Sequence, residues 1–407
     1  MTTRYCEEEI VKDDFSFFKD AYNTLGELII RENEWADDVG GRFHAPVRPI
    51  EDYIQYINEN QIQSAKIYMS SISFLEECPS LKRLAISPPV GFEGEIDYTP
   101  LYSLSSVEGL ICGEEEFCEI DFSKISGLVY LSFSVKKGMK NFKDISTLKT
   151  LKVSGFKGKN RDLTDLFTAP HLDCLWLICC GVKSLKGIEV SSDIEEVRLD
   201  YCRSLEDISA LESAKTTLRN LRIDACGKIK DFSVLEKLEN LEVLVLHGNN
   251  SIPNLDFLKK LSNLQYFSIT MNVEDGDLTP CLNIPFMGYV RNRRHYNLKN
   301  EDFSSHGEYR QKIRCPESEL WRKWSYICEP EFYFEIYNRN LTPCLNIPFM
   351  GYVRNRRHYN LKNEDFPSHG GYRQKIRCLE SELWRKWSYI CEPEFYFEIY
   401  NRKAQND

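Results

Sequence analysis

The chain has 407 residues, 42% of them apolar and 28% charged, with a formal net charge of −10. No run of about 18 apolar residues occurs, so no membrane-spanning helix is expected. The start, MTTRYCEEEIVKDD, is acidic and lacks the basic and apolar regions of a leader. A cytoplasmic location is therefore expected, and the fifteen cysteines read as free thiols of a reducing compartment.

Residues 1–61 mix aromatic and acidic residues without a repeat, as in DFSFFKDAYNTLGELIIRENEW and PIEDYIQYINENQ. They predict an α/β cap. This head is the acidic part of the chain, with 14 Asp/Glu against six Lys/Arg in residues 1–60. IQSAKIYMS, from Ile62, predicts an additional edge strand.

From Leu81 an apolar pattern, LxxLxLxx followed by Asn or Cys, recurs along the chain. It reads LKRLAI, VEGLIC from Val107, LVYLSF from Leu128, LKTLKV from Leu148 and LDCLWL from Leu172. It continues as IEEVRL from Ile194, LRNLRI from Leu218, LEVLVL from Leu241, LQYFSI from Leu264 and IPFMGY from Ile284. The ten starts span 203 residues, a mean period of about 22.6, within the 20–29 residues of one known repeat class. Positions 1, 4 and 6 are expected to point inward and positions 3, 5 and 7 to line the concave face of a parallel sheet. One repeat cannot bury its own leucines, whereas stacked repeats share a core. Between strands, SLEDISALESA, KIKDFSVLEKLEN and NLDFLKKLSN predict short helical or 3₁₀ returns on the convex side. Position 9 is Cys180, Cys202, Cys226, Asn249, Asn272 and Asn292 in six successive repeats. There a small buried donor is expected to satisfy loop backbone groups. Pro89, Glu115, Lys136 and Phe156 depart from this, which predicts looser early turns.

These motifs resemble the short leucine-rich repeats of the internalin type, over roughly residues 81–292. The resemblance implies a curved, right-handed α/β solenoid with caps at both ends, and protein binding as its usual role. Domains are expected at 1–61 (cap), 62–277 (solenoid), 278–340 and 341–403. The last two are one segment written twice in tandem, with 59 of 63 positions identical; Ser304/Pro367, Glu308/Gly371, Pro316/Leu379 and Asn340/Lys403 differ. Such identity, surface positions included, reads as a copied stretch of gene. Each copy should supply a strand, IPFMGY or its twin Ile347–Tyr352, followed by a cap with a helix around Glu317–Tyr326 and a strand at Phe332–Tyr337. Trp321 and Trp324 are expected to pack within that cap.

No glycine-rich phosphate loop, HExxH or nucleophile elbow occurs. SSHGEYR at Ser304–Arg310 and PSHGGYR are weak signals, and a nucleophile also needs a positioned base. Cys174, Cys179 and Cys180 lack the paired spacing of a zinc site. Catalytic residues, metal and cofactor are all expected to be absent. Arg291, Arg293, Arg294 and His295 beside Tyr296 form the strongest basic patch, yet the acidity of the chain disfavours a nucleic-acid partner. The face positions carry the sharper signal: Tyr130, Lys152, Trp176, Ile178, Arg198, Asp200, Arg222, Asp224, Val245, His247 and Tyr266. An aromatic anchor beside alternating Arg and Asp has the composition of a protein contact. Trp176→Ala is expected to leave folding nearly untouched, since Leu175 and Leu177 make the core. The expected function is thus non-catalytic binding of a protein partner; the resemblance adds adaptor, effector and toxin-neutralising roles. The alternative is an enzyme or effector acting through its non-repeat ends, with the solenoid selecting substrates.

Overall fold

The computed structural model describes residues 7–20, 27–34, 43–89, 91–105, 107–113 and 118–303. The elements expected at Glu317–Tyr326, Phe332–Tyr337 and Ile347–Tyr352, the tryptophans Trp321 and Trp324, and both SHG stretches lie outside them. In chain order the first elements are β1 (Glu7–Lys12), β2 (Phe15–Asp20), β3 (Glu27–Arg31), α1 (Ile50–Asn60), β4 (Ser64–Tyr68), β5 (Arg83–Ser87) and β6 (Gly109–Cys112). They are followed by β7 (Tyr130–Ser134), β8 (Thr150–Ser154), β9 (Cys174–Ile178), β10 (Glu196–Asp200), β11 (Asn220–Asp224) and β12 (Val243–His247). Last come β13 (Ser251–Ile252), β14 (Tyr266–Ile269), β15 (Asn272–Val273) and β16 (Phe286–Val290). All strands but β13 and β15 form one sheet in sequence order, and those two pair with each other. β1, β2 and β3 are antiparallel; every later pair is parallel.

Each of the ten motifs forms a strand. The alternation of a strand sends positions 4 and 6 to one face, where Leu84, Ile86, Leu175, Leu177, Leu221 and Leu246 are fully buried. Position 1 joins them from the approach to the strand, as Leu81, Leu172, Leu218 and Leu241 show. A buried Leu contributes about 1.5–3 kcal/mol, and stacking makes every repeat share that gain with its neighbours. Register is held at the strand entry, where one carbonyl takes two N–H groups of the next repeat: Asp173 O from Glu195 and Glu196, and Arg219 O from Glu242 and Val243. Short 3₁₀ segments, from Ser73–Glu77 to Thr279–Asn283, make most of the returns.

The structure corrects four expectations. IQSAKIYMS is not an edge: β4 lies between β3 and β5, because the cap contributes β3 to the same sheet. The sheet therefore runs unbroken across residue 61. In the tenth repeat the inward residue after Met287 is Val290, and Tyr289 is half-buried. The β14–β16 register shifts between Phe267 and Ile269, a bulge that adds one residue. Gly288 permits it, since a Cβ there would lie 2.3 Å from the Tyr266 hydroxyl. Position 9 holds a three-rung thiol row of Cys180, Cys202 and Cys226, all buried, but Asn249 is exposed. Gly248, at φ +144°, lengthens that turn so that Asn250 instead reaches the Ile229 carbonyl; one repeat later Met271 is the buried residue and Asn272 is only half-buried. Finally, the turn at Phe156 is not loose. Its ring is buried and meets Phe142 edge-on at 6.4 Å, in a group with Phe122 and Phe133 that fills the space the thiols fill later.

Candidate functional site

The candidate residues all sit on the face of the sheet opposite the leucine core. Strand register sets them in three rows. The position-3 row takes in Tyr130, Thr150, Cys174, Glu196, Asn220, Val243 and Tyr266. The position-5 row runs Lys152, Trp176, Arg198, Arg222, Val245 and Ser268. The position-7 row runs Ile178, Asp200, Asp224 and His247.

Adjacent strands are about 4.8 Å apart, so broad side chains in one row lie against each other. Lys152 Nζ stands 4.0 Å from the centre of the Trp176 ring and Arg198 Cζ 5.3 Å, a cation on each side. The indole N–H donates to Asp200 Oδ2, which fixes the ring's direction. Arg198 donates from Nε to Glu196, and Arg222 Nε lies 3.9 Å from Asp200 Oδ1. His247 Nε2 is 2.8 Å from Ser268 Oγ, which itself donates to the Tyr289 carbonyl.

This packing corrects the expectation of an exposed anchor. Trp176 exposes 6% of its surface, Arg198 and Arg222 8% each, and Tyr130 none. Only Lys152 and Ile178 among the named residues are half-buried; Asp200, Asp224, Val245, His247 and Tyr266 are buried too. Trp176 is thus tied into the face rather than standing on it, and its truncation would remove structure. Glu196, Asn220 and Ser268 belong to the same surface and were missed, although their places at positions 3 and 5 of the motif identify them.

The His247–Ser268 pair resembles half of a nucleophile–base arrangement, but its hydrogen-bond direction is wrong. Ser268 spends its proton on Tyr289 O, so His247 donates to the serine oxygen instead of accepting from it. The three clustered cysteines diverge: Cys174 lies on the open face, Cys179 is half-buried in the turn and Cys180 is in the core. Hydrogen bonding to Cys202 and burial push the Cys180 thiol well above its ordinary pKa. Among the described residues no group of three or more His, Cys, Asp or Glu could hold a metal ion. No helix among them is long and apolar enough to cross a membrane.

The basic patch near the last strand is largely tied down. Tyr296 is buried and its hydroxyl joins the Val273 N–H to the Met271 carbonyl. Arg293 donates to Thr270 O, His295 Nε2 lies 3.0 Å from Val273 O, and Arg291 reaches Asn249. These side chains tie the segment after β16 to the preceding turns, and Arg294 alone of the four has no such bond among the described residues.

No family model and no curated protein matches the sequence. Solved structures do overlap it. An internalin (inlF) of Listeria monocytogenes is 18% identical at a TM-score of 0.41, over 57% of this chain and 69% of that one. An internalin C2 (inlC2) of the same species is 20% identical at 0.32, over 44% and 76%. A leucine-rich-repeat protein of Leptospira interrogans is 14% identical at 0.38, over 62% and 59%. Overlaps this loose transfer no site, ligand or partner. By its own ten strands, register and buried leucines, the described part of the chain is a leucine-rich-repeat solenoid.

Proposed function

We propose that this protein is a non-catalytic interaction module that binds a protein partner on the open face of its sheet, around Trp176. The observation that carries the reading is the in-register platform of Lys152, Trp176 and Arg198 with Asp200 holding the indole. The half-buried Lys152 and Ile178 supply the contact, and the packed aromatic with its oriented charges holds them in registry for a partner. An adaptor or toxin-neutralising role in the cytoplasm is the finer form of the proposal. The test uses the two half-buried positions, whose replacement leaves the buried Trp176, Arg198 and Asp200 in place. Lys152→Glu with Ile178→Asp is expected to abolish capture of the partners that wild-type protein recovers from its native extract, identified by mass spectrometry, with thermal stability nearly unchanged. Undiminished capture by that folded variant would refute binding at this face.

A further inference from the structure

The turns that follow β7 to β11 carry a surface of opposite character to the acidic chain. Residues 135–140, 155–165, 179–189, 201–207 and 225–231 hold eleven Lys/Arg against six Asp/Glu, within a protein of net charge −10. The six acids are all engaged. Asp162, Asp207 and Asp231 accept backbone N–H groups from Thr164, Ser209 and Ser233. Asp165 accepts from the Lys159 N–H, Glu189 from the Gly187 N–H, and Glu206 lies 3.9 Å from Lys183 and 3.6 Å from Lys228.

Of the eleven cations, Lys140 pairs with Glu119, Lys183 and Lys228 lie near Glu206, and Arg161 is hydrogen-bonded, but six are not engaged. Lys137, Lys157, Lys159, Lys186, Arg203 and Lys230 are exposed, and none of their side chains forms an ion pair or hydrogen bond among the described residues. The side of the molecule bearing the later returns behaves differently, with Lys237 on Glu212 at 2.6 Å, Lys260 on Glu236 and Lys259 on Asp256. Unspent positive charge is therefore gathered on one edge.

That edge is rigid and evenly spaced. The N–H groups of Val135, Gly155, Cys179 and Tyr201 each donate to the strand-end carbonyl of the next repeat, at 2.8–3.0 Å, so the turns keep the rise of the sheet, about 4.8 Å. Arg161 laces three turns together, donating twice to Gly181 O and once to Ser204 Oγ. Residues three or four apart on a helix have Cβ atoms about 5–6 Å from each other, so a row of Glu at that spacing rises close to the rate of the turns. Arg161 has spent the planar fork that favours phosphate, and most of the remaining cations are lysines, which act as point charges.

We propose that this lysine edge docks an acidic helical segment of a partner protein. It is a different surface from the sheet face and does not depend on the function proposed above. The test titrates full-length protein into a fluorescent helical peptide with Glu at i, i+4 spacing, into the same peptide with Gln for Glu, and into a single-stranded DNA of equal charge. Two variants are compared, each losing four cations: Lys137→Gln, Lys157→Gln, Lys159→Gln and Arg203→Gln on the edge, and Lys215→Gln, Lys237→Gln, Lys259→Gln and Lys260→Gln as control. The edge variant is expected to weaken binding of the Glu peptide about tenfold or more, the control about twofold or less, and the effect to shrink as salt rises. Equal losses in both variants would reduce the effect to net charge. Tighter binding of DNA would make the edge a general polyanion surface, and no Glu-peptide binding at about 50 mM salt would exclude the dock.

Discussion

Trp176 is where sequence reasoning placed a residue correctly and misjudged its energetics. Its register is the expected one, on the face away from Leu175 and Leu177, yet its ring lies between two cations and its N–H is held by Asp200. Trp176→Ala should therefore cost about 3 kcal/mol of stability, as for truncation of a buried aromatic. Trp176→Phe, which keeps most of the ring and loses the N–H, should cost about 1–2 kcal/mol. Urea unfolding of the two variants checks this, and equal stability of wild type and Trp176→Ala would show that the platform contributes nothing to folding. The thiol row makes a second prediction at this scale. Cys180, Cys202 and Cys226 donate to strand carbonyls at 3.3–3.7 Å from within the core. Burial also pushes the Cys281 thiol up to about 12. In native protein a thiol reagent at pH 8 should label half-buried Cys179 well before any of these four, as peptide mapping would show.

Five of the turns that lead into the returns are set by an Asp side chain rather than by helix propensity. Asp121, Asp162, Asp207, Asp231 and Asp277 each accept the backbone N–H of the Ser or Thr two residues on. Hydrogen bonds from the same Ser and Thr hydroxyls, with these N–H groups, hold Asp121, Asp162, Asp207 and Asp277 below their ordinary pKa, and at Asp231 the Ser233 N–H leads. A carboxyl depressed in the folded state stabilises fully above its unfolded pKa of about 3.9 and loses that stabilisation as pH falls through the folded value. The melting temperature should accordingly fall as pH drops below about 4. Asp207→Asn with Asp231→Asn keeps the acceptors, removes two titrations and should make that fall shallower; an unchanged acid profile would remove these turns from the account. Gly187, ahead of the return at Ile188–Val190, has φ +106°, and a Cβ there would meet Thr164 N at 2.7 Å. Gly187→Ala should destabilise by more than about 1 kcal/mol, read as a lowered urea midpoint.

Across the whole molecule, the sheet is one continuous object from the cap to β16, so stability is expected to depend on nearest-neighbour stacking along its length. The first copy of the duplicated segment enters this stack, since residues 278–290 supply a 3₁₀ return and β16. Among the described residues, β16 of the first copy is the last strand of that sheet. We propose that deleting residues 341–403 leaves the melting temperature nearly unchanged; a large drop on deletion would show that the second copy has taken over capping the stack.

The spacing of leucines by itself determined the ten strands, their parallel order and, in the first nine repeats, which side chains face the core. A period of about 22.6 residues with apolar positions 1, 4 and 6 has one compact solution, in which each repeat covers the next. The same alternation assigned all eleven face residues to the correct side. Only the tertiary structure decided how those residues meet: that Lys152 and Arg198 flank Trp176, that Gly248 moves the buried amide from Asn249 to Asn250, and that a bulge at Gly288 substitutes Val290 for Tyr289. It also brought into one edge lysines that lie 20 or more residues apart in sequence. Periodicity specifies which face a residue takes, whereas packing between faces, turn length and the pairing of charges depend on neighbours one repeat away, which no local window of sequence contains.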